Sequence, residues 1–545
     1  MRLLQLLRRE AAISPWFVLM IACISGISNA LVLTIINAAA ALTADDAYGL
    51  YLLGFVLTIG VYLGAQAYIL TTTIHEVEGI LHRLRLQIMH KIRDAELGPL
   101  EHLGRARIYA GMAQDMQTIS DAAMPIVMMC QAAILILFTL VYMAYLSLVA
   151  LGLFLVVGTI TVGFYWLKTL ALRQDILTSV SLEHELFECM THLLDGFKEV
   201  KMNTARSVAL QAHLDHISTA VLEMKSRVRS QTSLINIVAQ TSFYILVALV
   251  GFVLPHLQAE TEASGQIATA VLFLTGPITA LVAWVQNYAR ANVAAEQIED
   301  LMDALDQHVR PAAQRGARPL VLQGVPFRDI VFDHVVFDFV TTDGAVSFRL
   351  GPLDLTITAG ETLFITGGNG SGKSTFLLLV TCLYFPTQGA VLIDGQRLSE
   401  ANAEGYRDLF STIFYDYHLF DRLYGLPEVD QQLVEALLTK LQLQDKTSIQ
   451  AQRFTTLNLS SGQKRRLALL VMYLENKPIC VFDEWAAEQD PEFRRYFYTT
   501  LLPELKAQGK TLLVVTHDEH YYDMAYVDHR LKLEEGRLVP YTVPQ

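Results

Sequence analysis

Six apolar runs, each long enough to cross a bilayer as a helix, constrain this chain more than anything else in it. They fall at 16–42, 49–70, 123–146, 147–170, 234–254 and 267–288, and spanning the hydrocarbon core takes roughly 20 mostly apolar residues. A charge at the bilayer centre costs about 2.5–3.5 kcal/mol on insertion scales, and these runs hold almost none away from their ends. Of the 545 residues, 52% are hydrophobic and 17% charged, and the apolar excess sits ahead of residue 290. A soluble all-helical protein is the competing reading, and six such runs weigh against it. The third and fourth runs abut, so they form a tight hairpin.

The connections alternate in charge. The segment after the second run (IHEVEGILHRLRLQIMHKIR) is long, helical in period and basic. So is the segment between the fourth and fifth, with Lys198, Lys201, Arg206, Lys225, Arg227 and Arg229. The short connections carry Asp45 and Asp46, then Glu260 and Glu262. The positive-inside rule places the N-terminus and both long segments in the cytoplasm. An even number of spans then returns the C-terminal part to the same side. The net charge of −13 and the lack of a basic stripe exclude nucleic acid as the main partner. Five scattered cysteines (Cys23, Cys130, Cys189, Cys382, Cys480) offer no metal-ligand spacing and read as small buried hydrophobes.

Pro311, Gly316 and Pro319 mark a linker. The expected organisation is a membrane domain over 1–310, a linker over 311–320 and a soluble domain over 321–545. In the last part short β-type runs (ETLFIT, PICVFDE, TLLVVTHD) alternate with helical ones, which predicts a parallel sheet flanked by helices.

That domain holds FITGGNGSGKST, in which Gly367, Gly372, Lys373 and Ser374 satisfy G-x-x-x-x-G-K-[ST] between a predicted strand and a predicted helix. Glycines let backbone N–H groups curl round phosphates, and the following helix adds its N-terminal dipole. Asn369, Gly370, Ser371 and Thr375 complete the nucleotide loop. Lys373 is expected to reach the β- and γ-phosphates of ATP, and the Ser374 hydroxyl to bind Mg²⁺. In PICVFDEW, Asp483 stands at the end of a buried strand, where a carboxylate holds Mg²⁺, and Glu484 is the candidate for polarising the attacking water. An acidic pair after a strand is also a common solvated turn; its distance from the phosphate loop favours the catalytic reading. Leu459, Ser460, Ser461, Gly462 and Gln463 form a turn at a helix start that either addresses an anion or simply caps the helix.

These three motifs, in this order, resemble the ATP-binding cassette (ABC) proteins, with LSSGQ as the signature segment. The resemblance implies a fold: a membrane all-α domain of six transmembrane helices, as in type I ABC exporters, fused to an α/β P-loop nucleotide-binding domain. It also implies further site residues. Phe339 matches the aromatic that stacks on adenine, Asp490 the aspartate that communicates across a nucleotide dimer, and His517 the histidine that contacts the γ-phosphate. One position departs: where the family carries a glutamine that meets Mg²⁺, STIFYDYHLF has Tyr415, leaving Asp416 or a water as the replacement ligand.

One cassette per chain implies a homodimer, with each ATP held between one chain's phosphate loop and the other's signature. The long basic segments resemble the cytoplasmic extensions that press on the cassettes, with tips expected near 105–118 and 201–210. The strings GNGSGKST and FDEWAAEQDPEFRRYFY resemble the bacterial cyclic-peptide and siderophore-peptide export family, which includes pyoverdine-precursor and microcin-linked exporters. The implied function is ATP-driven export of a peptide across a bacterial inner membrane, in contact with membrane lipid; the alternatives are a lipid or hydrophobic-drug exporter and a membrane-tethered regulatory ATPase. Polar residues within the runs, among them Asn37, Gln66 and Gln131, either line a cavity or join helices. Tyr244 and Trp284 are compatible with a peptide cavity, and no run looks discontinuous.

Overall fold

Helical periodicity outlasts the apolar runs, so the helices are far longer than the spans inside them. The computed structural model describes residues 2–10, 15–40, 48–257, 263–306, 327–340, 345–426 and 429–540. The expected linker and the acidic pairs Asp45/Asp46 and Glu260/Glu262 lie outside these residues. The chain divides into two compact units: the described residues of Met1–Lys91 and Gly104–Ala304, and Ile92–Leu103 together with those from Leu305 onward.

The first unit is all helix. It contains α1 (Arg2–Glu10), α2 (Pro15–Ala40) and α3 (Tyr48–Asp94) as far as Lys91, while the last residues of α3 and all of α4 (Leu97–Leu103) belong to the second unit. There follow α5 (Arg105–Ala110), α6 (Met116–Leu146), α7 (Leu148–Asp195), α8 (Phe197–Met202) and α9 (Thr204–Ala248), then α10 (Leu254–Leu257), α11 (Ala263–Phe273) and α12 (Thr275–Asp306). Ser147 alone separates α6 from α7. Its backbone is extended, and its hydroxyl caps α7 by accepting from the Ala150 N–H at 3.2 Å.

Among the described residues, five helices are long and apolar enough to cross a membrane. The sixth expected span departs from expectation, because it is divided at Leu274 between α11 and α12. Pro277 has no N–H to donate to the Phe273 carbonyl, and Gly276 beside it weakens the turn, so the ladder breaks there. A π-helical turn at Leu249–Val253 likewise precedes Pro255. Met143, Phe243, Leu246, Val250, Ile267 and Val271 form a core shared by these helices. Large apolar side chains also face outward, among them Leu50, Leu57 and Leu63 on α3 and Val156, Ile160 and Leu167 on α7. A surface of that kind is stable against lipid or a partner and not against water.

The polar residues within the spans mostly serve each other. Gln131 Nε2 donates to Gln66 Oε1 at 2.7 Å, and the Ser25 hydroxyl donates to the same oxygen at 3.0 Å. Buried Asn37 donates to the Tyr142 hydroxyl at 3.3 Å and to the Gln266 carbonyl at 3.2 Å. These bonds join helices, which is the second of the two roles the sequence left open. Tyr244 is exposed, whereas Trp284 stacks on Tyr288 with ring centroids 5.0 Å apart.

The second unit is α/β. A four-stranded antiparallel sheet in the order β2-β1-β4-β5 uses β1 (Asp329–Val340), β2 (Val346–Thr358), β4 (Gln388–Ile393) and β5 (Gln396–Arg397). A six-stranded sheet in the order β12-β11-β3-β10-β9-β6 uses β3 (Thr362–Gly367), β6 (Phe410–Ile413), β9 (Ile479–Asp483), β10 (Thr511–Val515), β11 (His529–Glu534) and β12 (Arg537–Pro540). All of its pairings are parallel except the β11–β12 edge. Every residue of β9 and β10 is buried, which explains their unbroken apolar runs: central parallel strands are covered on both faces. Between the strands lie α13 (Lys373–Val380), α14 (Ala403–Arg407), α15 (Gln431–Lys440), α16 (Ser461–Glu475), α17 (Pro491–Tyr496) and α18 (Leu502–Ala507), with a small hairpin of β7 (Ile449–Gln450) and β8 (Arg453–Phe454).

Leu513 sits mid-strand in β10, fully buried between β3 and β9. Leu513→Ala is expected to cost this unit about 2–5 kcal/mol through the lost side chain and the cavity left behind. The expected readout is a melting midpoint lowered by several degrees in detergent-solubilised protein; an unchanged midpoint would refute the packing assigned to that strand.

The segment Ile92–Leu103 packs within this second unit. Arg407 Nη2 donates to Glu96 Oε2 at 2.5 Å, the Tyr384 hydroxyl to Glu101 Oε2 at 2.6 Å, and Leu97 joins the hydrophobic core. These contacts lie N-terminal to the tip expected at 105–118, because the chain turns between Asp94 and Gly104, where Gly104 adopts φ 74°.

Candidate nucleotide site

The register of the parallel sheet brings the chemistry together. Ile365 of β3, Val515 of β10 and Asp483 of β9 lie abreast, so the phosphate loop, the acidic pair and His517 all leave the C-terminal ends of three adjacent strands. In parallel α/β sheets that edge is where ligands bind.

The loop itself is built by glycine. Gly367 (φ 153°), Gly370 (φ 76°) and Gly372 (φ 102°) hold left-handed conformations that L side chains avoid. A Cβ on Gly367 would lie 2.4 Å from the Leu533 carbonyl oxygen, so this position also needs glycine for space. Gly372 precedes α13 and offers it no side-chain cap, so the first N–H groups of the helix, which have no intrahelical acceptor, are left for another partner. Asn369 and Gly370 are exposed at its rim, while the Ser371 hydroxyl is buried without a hydrogen-bond partner. Buried Lys373 donates to the Gly367 and Gly368 carbonyls at 3.0 and 3.1 Å and lies 3.7 Å from Glu484 Oε1. Orphaned donors and a buried cation round a glycine cradle match a polyphosphate.

Beside the loop, the Ser374 hydroxyl donates to Asp483 Oδ2 at 3.4 Å, and the Tyr415 N–H approaches the same oxygen at 3.4 Å. Burial raises the Asp483 carboxyl above the ordinary range, and the Tyr415 N–H works against that. A hydroxyl and a buried carboxylate side by side form a hard-oxygen donor pair suited to Mg²⁺. The Tyr415 position therefore contributes its backbone to this corner. Asp416 is exposed, and among the described residues it makes no hydrogen bond to Ser374 or Asp483. Glu484 Oε1 meets His517 Nε2 at 3.1 Å.

Phe339 is half-buried on β1, edge-on to Phe337 at 5.0 Å and to Tyr384 at 5.8 Å. The ring of Phe348 stands 3.1 Å from where a Gly372 Cβ would be, which puts a second aromatic beside the loop that the sequence did not single out. Ser460 caps α16: its hydroxyl accepts from the Gln463 N–H at 3.3 Å, and Gln463 Oε1 accepts from the Ser460 N–H at 3.1 Å. This capping box is the plainer of the two sequence readings, and it still leaves the hydroxyl proton free to donate. Among the described residues, no hydrogen bond or ion pair links Leu459, Ser460, Ser461, Gly462 or Gln463 to the phosphate loop. Gly462 lies against the turn before α17, where a Cβ would come within 2.8 Å of the Glu488 carbonyl.

Asp490 caps α17 by accepting from the Phe493 N–H at 2.9 Å, a bond that, ahead of its Arg466 partner, holds its carboxyl below the usual range. Arg466 also donates to Gln489 Oε1 and Gln442 Oε1, at 2.9 and 3.0 Å. Arg465 and Arg466 are both buried, a network hidden in sequence because LSSGQKRR reads as a basic, solvated first turn. All five cysteines are free; Cys189, Cys382 and Cys480 are buried as expected, whereas Cys23 and Cys130 are only half-buried.

The comparisons agree with this geometry. The ABC transporter family profile matches residues 350–487. The ATP-binding protein SyrD of Pseudomonas syringae pv. syringae is 33% identical over 473 residues, covering 84% of this chain and 82% of that protein. An ATP-dependent lipid A-core flippase of Burkholderia orbicola (strain AU 1054) is 28% identical over 453 residues, covering 78% of this chain and 71% of the flippase. The structure of a bacterial Atm1-family ABC exporter with ATP bound superposes with TM-score 0.76 at 19% identity, covering 98% of this chain and 95% of the other, a likeness of fold. The chain belongs to the ABC exporter family: a multi-pass membrane protein whose ATP hydrolysis is coupled to transport.

Proposed function

We propose that this chain is one half of a homodimer that exports a peptide, of the cyclic, siderophore-precursor or microcin class, across the bacterial inner membrane. Its N-terminus and nucleotide-binding unit face the cytoplasm, where ATP is. The observation that carries transport is the union, in one chain, of apolar helices with outward-facing side chains and a strand-end cluster of Lys373, Ser374, Asp483, Glu484 and His517. The peptide class is supported by the resemblance of its GNGSGKST and FDEWAAEQDP segments to that export group.

In this reading the residues have separate tasks. The phosphate loop, Gly367 to Thr375, and Phe339 hold ATP; Leu459 to Gln463 of one chain and Asp490 complete the site on the other. That division fits a signature segment that makes no bond to its own phosphate loop. Ser374 and Asp483 would hold Mg²⁺, which when bound would supply charge neutralisation on the phosphates. Asp416 is left as a more distant candidate ligand. Glu484 orients and deprotonates the attacking water, and His517 holds the Glu484 carboxylate and meets the γ-phosphate. Closure of the two nucleotide-binding units rocks the helix bundles outward, and hydrolysis resets them.

A second reading, lipid export, is favoured by the similarity to the lipid A-core flippase. Purified protein in lipid vesicles separates the two. The expected result is ATP-dependent uptake of a labelled cyclic peptide into inside-out vesicles, with turnover stimulated by peptide. Stimulation and movement of labelled lipid alone would replace the peptide reading. ATP splitting with every solute left in place would reduce the protein to a membrane-tethered hydrolase.

A further inference from the structure

Glu484 holds a left-handed backbone (φ 48°, ψ 35°), a conformation unfavourable for a residue with a side chain. Something must hold it there, and both of its peptide groups are tied. Its N–H donates to the Val515 carbonyl at 3.0 Å, and its carbonyl accepts from Arg465 Nη1 at 2.5 Å. Fixing both peptide planes fixes the direction of Cβ, and hence the aim of the carboxylate at Lys373 and His517.

Arg465 is built into this role. It projects from the second turn of α16, and its side chain is 2% exposed. Nη2 pairs with Glu488 at 3.3 Å, and its own carbonyl accepts from the Trp485 indole N–H at 3.0 Å, so the helix grips the turn at two points just after Glu484. The guanidinium also lies 5.5 Å from the ring centroid of Tyr415 and 6.0 Å from that of Tyr417, within cation–π range. The Tyr415 N–H in turn approaches Asp483 Oδ2. One buried cation thus touches both segments that flank the phosphate loop: the turn carrying Glu484, and the 415–417 loop.

We propose that Arg465 is a positioning residue for hydrolysis, which locks the Glu484 turn and couples it, through the Tyr415 ring, to the 415–417 loop. The inference rests on the role given to Glu484 above. Arg465→Gln is expected to lower kcat about tenfold or more while the KM for ATP and the affinity for a fluorescent ATP analogue stay near wild type, the pattern of an interaction used only in the transition state. Arg465→Lys, which keeps the charge but not the fork, retains part of the lost turnover. On the exposed side, Tyr415→Leu lowers kcat more than Tyr415→Phe, which keeps the ring. In a Glu484→Gln background, Arg465→Gln adds no further loss, because it acts through Glu484.

Three outcomes would overturn the proposal, and a fourth the reading it rests on. Unchanged kcat in Arg465→Gln beside a crippled Glu484→Gln would reject positioning alone. Loss of analogue binding together with turnover would make Arg465 structural. Equal effects of Tyr415→Leu and Tyr415→Phe would remove the coupling to the loop. Wild-type turnover in Glu484→Gln would instead reject the reading of Glu484 beneath it.

Discussion

Glu484→Gln is expected to lower steady-state ATP turnover by about 10²–10⁴-fold, the range for removal of a general base, while ATP binding persists. The substitution keeps the side chain's length and its partner His517, 3.1 Å away. It removes the capacity to take a proton and, with it, the negative charge. Binding survives because the cradle of Gly367, Gly370 and Gly372, the first turn of α13 and Lys373 are untouched. It is expected to tighten, since the carboxylate 3.7 Å from Lys373 competes with phosphate for that cation and the amide competes less. With binding intact and hydrolysis blocked, the variant should accumulate as a nucleotide-loaded closed dimer. Single-turnover hydrolysis, retained radiolabelled ATP and cross-linking between the two nucleotide-binding units are the measurements. Turnover like wild type would remove Glu484 from its role, and slow turnover with no trapped nucleotide would place the effect in binding.

What could be read in advance was what local covalent geometry dictates. The phosphate loop is legible because three left-handed positions and one close approach to Leu533 demand glycine at fixed spacing, whatever the rest of the fold does. Asp483 and Glu484 are legible because the four apolar residues before Asp483 read as a buried strand and because the pair follows the phosphate loop at a distance that favours the catalytic reading over a solvated turn; the structure buries every residue of that strand. The signature turn admits two senses in sequence, and Ser460 shows the capping one within the chain.

What escaped depends on partners far away in sequence. Glu96 and Glu101 find Arg407 and Tyr384 at separations of 311 and 283 residues, so nothing local marks 92–103, ahead of 105–118, as the segment that packs on the α/β unit. Arg465 and Arg466 look like solvated helix charges until the β9–α17 turn folds over them. The break at Leu274 is a different case. Its cause, Gly276 followed by Pro277, was visible, but a proline inside an apolar run is compatible with a continuous membrane helix, and hydropathy alone does not distinguish a kink from a span.

Lys373→Ala carries the other large effect, expected to abolish measurable ATP binding, with affinity lowered about 100-fold or more, since a lost charge-assisted hydrogen bond alone accounts for about 1.5–3 kcal/mol. The loss should exceed that single bond. Lys373 is 7% exposed and is the cation set between the loop and Glu484. Without it, the Glu484 carboxylate keeps only its 3.1 Å contact with His517 and loses the lysine's full positive charge, beside the site that three phosphates must enter, and like charges then repel. Lys373→Met separates packing from the ammonium, because it keeps the buried stem and removes the charge and its N–H donors to Gly367 and Gly368; it is expected to bind ATP as poorly as the alanine variant. The double variant Lys373→Ala/Glu484→Gln tests the repulsion directly. Neighbours that share a partner are non-additive, so the second substitution should restore part of the affinity that the first removed. Titration with a fluorescent ATP analogue across the four proteins reads all of this. If Lys373→Ala retained wild-type affinity, the cradle would not be the phosphate site. If the double variant bound no better than Lys373→Ala, the Lys373–Glu484 pair would be a neighbour of the phosphates and not a competitor for their cation.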